Sequence, residues 1–141
     1  MISHALNYLE KNIHLLYAAL GFLTVITLAL TLLPSETLSS GNRIFQYDKL
    51  GHSLIFGSWT FLLGLIFMVS DRKPLPLLSI FLAGSLFGIL IEILQEVLTA
   101  DRHADPLDAI ADIIGCLLAV ALLKVITSNS AYHEAADRIP D

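Results

Sequence analysis

Along this chain the apolar positions come in long blocks, not in the alternation of a strand or the one-sided stripe of a surface helix. Four blocks approach the ~20 residues that a helix needs to cross the hydrocarbon core of a bilayer. They are residues 13–33, about 50–69, a third from Pro74 or Pro76 to about Leu98, and a fourth from about Pro106 to Val125. Pro34 closes the first, and the polar run Ser70, Asp71, Arg72, Lys73 follows the second. Pro76 and Pro106 suit a first helical turn, where the missing N–H has no partner to lose. Asp105 before Pro106 is a plausible N-cap. The pattern predicts an all-α integral membrane bundle of four transmembrane helices.

Composition agrees. Of 141 residues, 55% are hydrophobic and 15% charged, against about 25% charged in an ordinary soluble domain. Mean hydropathy is +0.73. The first block exceeds the 7–15 residues of a signal-peptide core and no small-x-small site follows it, so it is expected to be a retained span. Residues 1–12 place Ile2, Leu6 and Leu9 on one helical face, which predicts an interfacial segment. Residues 13–125 form the membrane domain, and residues 126–141 are a polar tail expected to be mobile. A single cysteine, Cys116, excludes an internal disulfide and reads as a small packed side chain. The net charge of −5 argues against nucleic acid as a partner.

Small residues mark packing faces. Gly84 and Gly88 make a G-x-x-x-G in the third block, and Ala111, Gly115 and Ala119 make a ladder in the fourth. Packing within the chain is the favoured use, and a homo-oligomer is the alternative. Four spans put both termini on one side. Lys11, Arg72, Lys73, Lys124 and Arg138 fall on that side, against Arg43, Lys49 and Arg102 on the other. The basic bias predicts cytoplasmic termini in the cell's inner or plasma membrane.

Against this apolar background, eight polar residues stand out: Asp48, Lys49, His52, Glu92, Gln95, Arg102, Asp108 and Asp112. They lie at the start of span two, the end of span three and the start of span four. Those three ends share one membrane face. Asp48 and His52 are four residues apart, Glu92 and Gln95 three, and Asp108 and Asp112 four, so each helix presents one polar stripe. Charges at membrane depth cost roughly 2.5–3.5 kcal/mol each on the lenient scale. They persist where they face one another, a cavity or a ligand, which predicts a polar pocket between the helices. Glu96 is expected to point away from the stripe or toward the surface, and His103 to be a solvated loop residue. Tyr47 and Trp59 read as interface or packing aromatics.

These residues carry a resemblance. Asp48-Lys49-x-x-His52 before an apolar span resembles the D-K-x-x-H motif of the VanZ-like family. Glu92-x-x-Gln95, Arg102, Asp108 and Gly115 resemble its E-x-x-Q…R…D…G signature, and the four spans fall in matching order over residues 13–125. The family usually has Asn at the position of Asp112, so the pocket here carries one more negative charge or holds Asp112 protonated. Two carboxyl groups one turn apart in a low-dielectric region favour the neutral acid, standing in for that amide. The family takes its name from a protein linked to teicoplanin resistance. The resemblance therefore implies a cell-envelope setting and leaves the biochemical activity open.

Several readings of the cluster stay open. In the first, Lys49 and Arg102 contact the anionic head group of an envelope amphiphile or a lipid-linked precursor, while His52, Glu92 and Asp108 hold those bases or move protons. In the second, a small intramembrane hydrolase or transferase uses His52 and the carboxylates as acid–base groups. In the third, the chain is a structural membrane subunit, with Arg102 pairing to fix helix register and Lys49 snorkelling to the interface. No cofactor is implied. His52 with Glu92, Asp108 and Asp112 could bind a divalent ion, but no H-E-x-x-H or Cys-His spacing supports one. Ser53 and Ser58 lack the context of a hydrolase nucleophile.

Overall fold

The computed structural model describes residues 2–32, 48–70, 75–99 and 104–136. Five helices account for nearly all of them: α1 (Ile2–Lys11), α2 (Ile13–Leu32), α3 (Asp48–Ser70), α4 (Leu77–Leu98) and α5 (Pro106–Ala136). The last four are each long and apolar enough to cross a membrane. The chain is thus an all-α multi-pass membrane protein. Large apolar side chains such as Phe22, Leu78, Leu86, Val97 and Leu118 are exposed on the outside of the bundle, where lipid tails would cover them.

The expected packing face of small residues organises the centre. α3 and α5 make the most extensive contact, and glycines set how closely they cross. A β-carbon at Gly57 would lie 3.0 Å from the Gly115 carbonyl oxygen, and one at Gly115 would collide with the Ser53 carbonyl. On α4, a β-carbon at Gly84 would run into Thr60 Oγ1, and one at Gly88 would lie 2.9 Å from Asp112 Oδ2. Both glycines of the G-x-x-x-G are therefore used inside the chain. Cys116 is fully buried in the core with Phe56 and Ile91 and accepts the Thr60 hydroxyl at 3.1 Å. Trp59 is a packing aromatic: it stacks on Phe87 at 4.8 Å, and its indole N–H donates to Thr24 Oγ1 at 2.9 Å.

Two sequence expectations change. α5 does not stop near Val125 but continues to Ala136, so the first part of the polar tail is helical. Thr127 and Ser128 return their hydroxyls to the carbonyls of Leu123, Lys124 and Val125, so polarity does not break the helix there. Pro76 sits at the N-cap position with ψ 66°, one residue before the first helical residue, whereas Pro106 opens α5 as expected. α1 also uses its apolar face on the protein. Leu6 and Leu9 pack against Leu16, Ile66 and Val69, at the opposite end of the bundle from the polar residues.

Candidate functional site

The beginnings of α3 and α5 and the end of α4 meet at one end of the bundle, and their polar side chains meet with them. Lys49 Nζ lies 2.8 Å from Asp105 Oδ2 and 2.7 Å from Asp108 Oδ1, which ties α3 to α5. One turn on, His52 Nδ1 lies 3.0 Å from Asp112 Oδ1. The same nitrogen is 3.8 Å from Glu92 Oε1, and Nε2 is 3.9 Å from Asp108 Oδ2. Glu92 reaches from α4 and accepts the Asp105 backbone N–H on Oε2 at 3.1 Å. A carboxylate is favoured there by the unpaired N–H groups of the α5 N-terminus. His52 is therefore the hub: one imidazole approaches three carboxyl groups from two neighbouring helices.

The cluster is dry at its centre and wet at its edge. Asp112 is 1% exposed, Glu92 5% and Asp108 8%, whereas half of the Lys49 side chain is accessible. Two buried oxygens of the cluster, Glu92 Oε1 and Asp112 Oδ2, have no hydrogen-bond partner among the described residues. Such orphans are costly in a folded protein and ask for an explanation. Among the described side chains the cluster sets four carboxyl groups (Glu92, Asp105, Asp108, Asp112) against one ammonium and one imidazole.

Asp105 plays a larger part than its place in the sequence suggests. It is the expected N-cap, accepting the Leu107 N–H on Oδ1 at 2.8 Å. Its second oxygen holds Lys49. The Lys49 ammonium and then the Leu107 N–H push its carboxyl below the usual aspartate range. The three-residue spacing of Asp105 and Asp108 was the available clue to this pairing.

Six of the eight residues singled out from sequence have described side chains. Lys49, His52, Glu92, Asp108 and Asp112 come together. Gln95 is buried a turn beyond Glu92 but belongs to none of these pairs. Asp48 opens α3, with only its backbone described, and Arg102, His103 and Tyr47 lie outside the described residues. Glu96 is exposed, as expected, and accepts the Ala104 N–H at 2.8 Å. Ser53 and Ser58 line an open, mainly apolar groove of about 290 Å³ between α3 and α5, with Phe61, Leu118 and Leu122.

Comparison with family models, with curated proteins and with solved structures returns no match. Fold and site geometry define the class, a multi-pass membrane protein with a buried histidine–carboxylate cluster at one end of its bundle.

Proposed function

We propose that the chain is a VanZ-like protein of the cell or plasma membrane that binds and handles an amphiphile or lipid-linked precursor of the envelope, with the cluster as its working site. The observation that carries this reading is the convergence of three helices on His52, with Asp112 at 3.0 Å and Glu92 and Asp108 at 3.8 and 3.9 Å. A bundle held together by apolar contacts alone gains nothing from three buried carboxyl groups around one imidazole. Lys49 already spends two of its three N–H donors on Asp105 and Asp108, so it meets a head group as the outer edge of the site. Both termini lie in the cytoplasm in this reading, and the cluster faces outward.

Native mass spectrometry of the detergent-purified chain tests the reading. A retained phospholipid or lipid-linked species is expected in the wild type and lost in His52→Ala. A wild type carrying only detergent overturns it. Teicoplanin susceptibility of cells with and without the chain tests the antibiotic context separately.

The second reading is an intramembrane hydrolase or transferase, favoured by the His52–Asp112 contact. A carboxylate on one ring nitrogen fixes the tautomer and orients the other nitrogen for proton transfer. Product formed from a lipid-linked substrate by the wild type, and abolished in His52→Ala, selects it over binding alone.

A further inference from the structure

We propose that His52, Glu92 and Asp108 form a binding site for a first-row divalent cation, with Zn²⁺ the best match to the donor set. Each ligand comes from a different helix, which is why no ligand spacing within one segment announces the site. One donor atom from each residue lies within 4.8 Å of the other two. Donors about 2.0–2.2 Å from a shared tetrahedral ion stand roughly 3.4 Å from one another. Glu92 Oε1 lies 3.8 Å from Nδ1 and Asp108 Oδ2 3.9 Å from Nε2, so an ion on Nε2 needs the Glu92 side chain to turn from one ring nitrogen toward the other.

A second observation points the same way. Glu92 is 5% exposed, and its Oε1, 3.8 Å from His52 Nδ1, has no hydrogen-bond partner among the described residues. Its other oxygen is occupied by the Asp105 N–H. Asp108 is divided in the same manner, with Oδ1 on Lys49 and Oδ2 toward His52. Each carboxylate therefore spends one oxygen on holding the helices together and turns the other inward. An ion among these inward atoms would satisfy the Glu92 orphan and offset the excess of carboxyl groups.

Asp112 completes the arrangement as a positioning residue. At 3.0 Å it holds Nδ1, which orients Nε2 toward Asp108. Metal-bound histidines usually give their second nitrogen to such a carboxylate, which fixes the tautomer and the ring. One imidazole with two carboxylates suits a borderline cation such as Zn²⁺ better than Mg²⁺ or Ca²⁺. Three protein ligands also leave a fourth position for water or a substrate oxygen.

The inference shares its residues with the functional reading above but fails separately from it, because metal content and retained lipid are independent readouts. Chelator-stripped full-length protein in detergent, titrated with Zn²⁺ in a calorimeter, should take up one ion per chain. His52→Ala and Glu92→Gln should each weaken uptake at least about tenfold, since even an outer-shell partner is worth about 10–100-fold in affinity. Asp112→Ala should lose about 10–100-fold, and Asp112→Asn should restore most of it, because an amide oxygen still accepts the Nδ1 proton. The exposed neighbour Glu96→Gln should bind as the wild type does. If a variant fails to fold, Co²⁺ uptake by the wild type decides: visible ligand-field bands of a four-coordinate N/O site support the inference. Sub-stoichiometric uptake, absent Co²⁺ bands, or unchanged affinity in Glu92→Gln overturns it and leaves the Glu92 orphan to a proton.

Discussion

Asp108 and Asp112 are one helical turn apart and chemically alike, yet their surroundings assign them different work. Asp108 serves two partners, Lys49 through Oδ1 and His52 through Oδ2. An amide there would turn an N–H donor toward one of them. Asp112 serves His52 through Oδ1, and its other oxygen lies against Gly88. The contact at 3.0 Å needs one proton between the two atoms, and an amide oxygen keeps it if the imidazole donates. Asp108→Asn is therefore expected to cost about 1–3 kcal/mol of stability and Asp112→Asn less than about 1 kcal/mol. Thermal unfolding in one detergent measures both, and equal losses would reject the division of roles. Asp105 carries a pH prediction. Its folded-state carboxyl is held below the usual aspartate range by Lys49. What that pair contributes is thus present above the unfolded value of about 3.9 and is lost as pH falls through the lower folded value. Carbon-13 NMR of labelled aspartate should show one resonance titrating unusually low in the wild type and returning toward the ordinary range in Lys49→Gln. At this scale the sequence was partly legible. The four-residue step from Asp108 to Asp112 put both on one face of a helix. It could not show that Lys49 would reach across from α3 to Asp105, because that depends on how two helices are rotated against each other.

The elements are held by what glycine omits. α3 and α5 approach closely because Gly57 and Gly115 present bare backbone to each other. A methyl group at Gly115 would strike the Ser53 carbonyl, which is backbone and cannot swing aside as a flexible side chain would. Gly115→Ala should lower stability by about 1–3 kcal/mol and loosen the helix pair that carries Lys49 and His52 opposite Asp108 and Asp112. Gly21 is the control, since nothing lies within 4 Å of a β-carbon there. Gly21→Ala should be neutral or stabilising by up to about 1 kcal/mol, the helix propensity gained. If both variants melt with the wild type, the close α3–α5 crossing is wrong. The glycine pattern also marks what sequence could and could not give about the elements. The small-residue ladders were visible as packing faces, because only intimate contact makes such spacing useful. Their partners were not, and neither was the use of Gly88 as a seat for Asp112. The end of α5 was missed for a different reason: hydropathy falls at Thr127, while the hydroxyls there bond back to the preceding turn and let the helix continue.

At the scale of the whole molecule, the two ends of the bundle differ in kind. One end carries the histidine–carboxylate cluster, and the other carries an apolar cluster of Leu16, Ile66 and Val69, with α1 folded against it. Four spans were legible because each apolar run is long enough to cross and is bounded by proline or charge. Which end faces out rests on a bias of five basic residues against three, a small margin. The chain supplies a convenient probe of that choice. Cys116 is its single cysteine and is 0% exposed, so an impermeant maleimide added to intact cells should find nothing in the wild type. A cysteine introduced at Ala104 lies exposed beside the cluster, and one at Ser128 lies exposed on the far part of α5. With the termini in the cytoplasm, Ala104→Cys should label in intact cells and Ser128→Cys only after the membrane is opened. The reverse pattern would place the cluster on the cytoplasmic side. Its ligand would then have to come from the inner leaflet, and a role on externally exposed envelope precursors would fall, while the metal site, which depends only on the helices meeting, would stand.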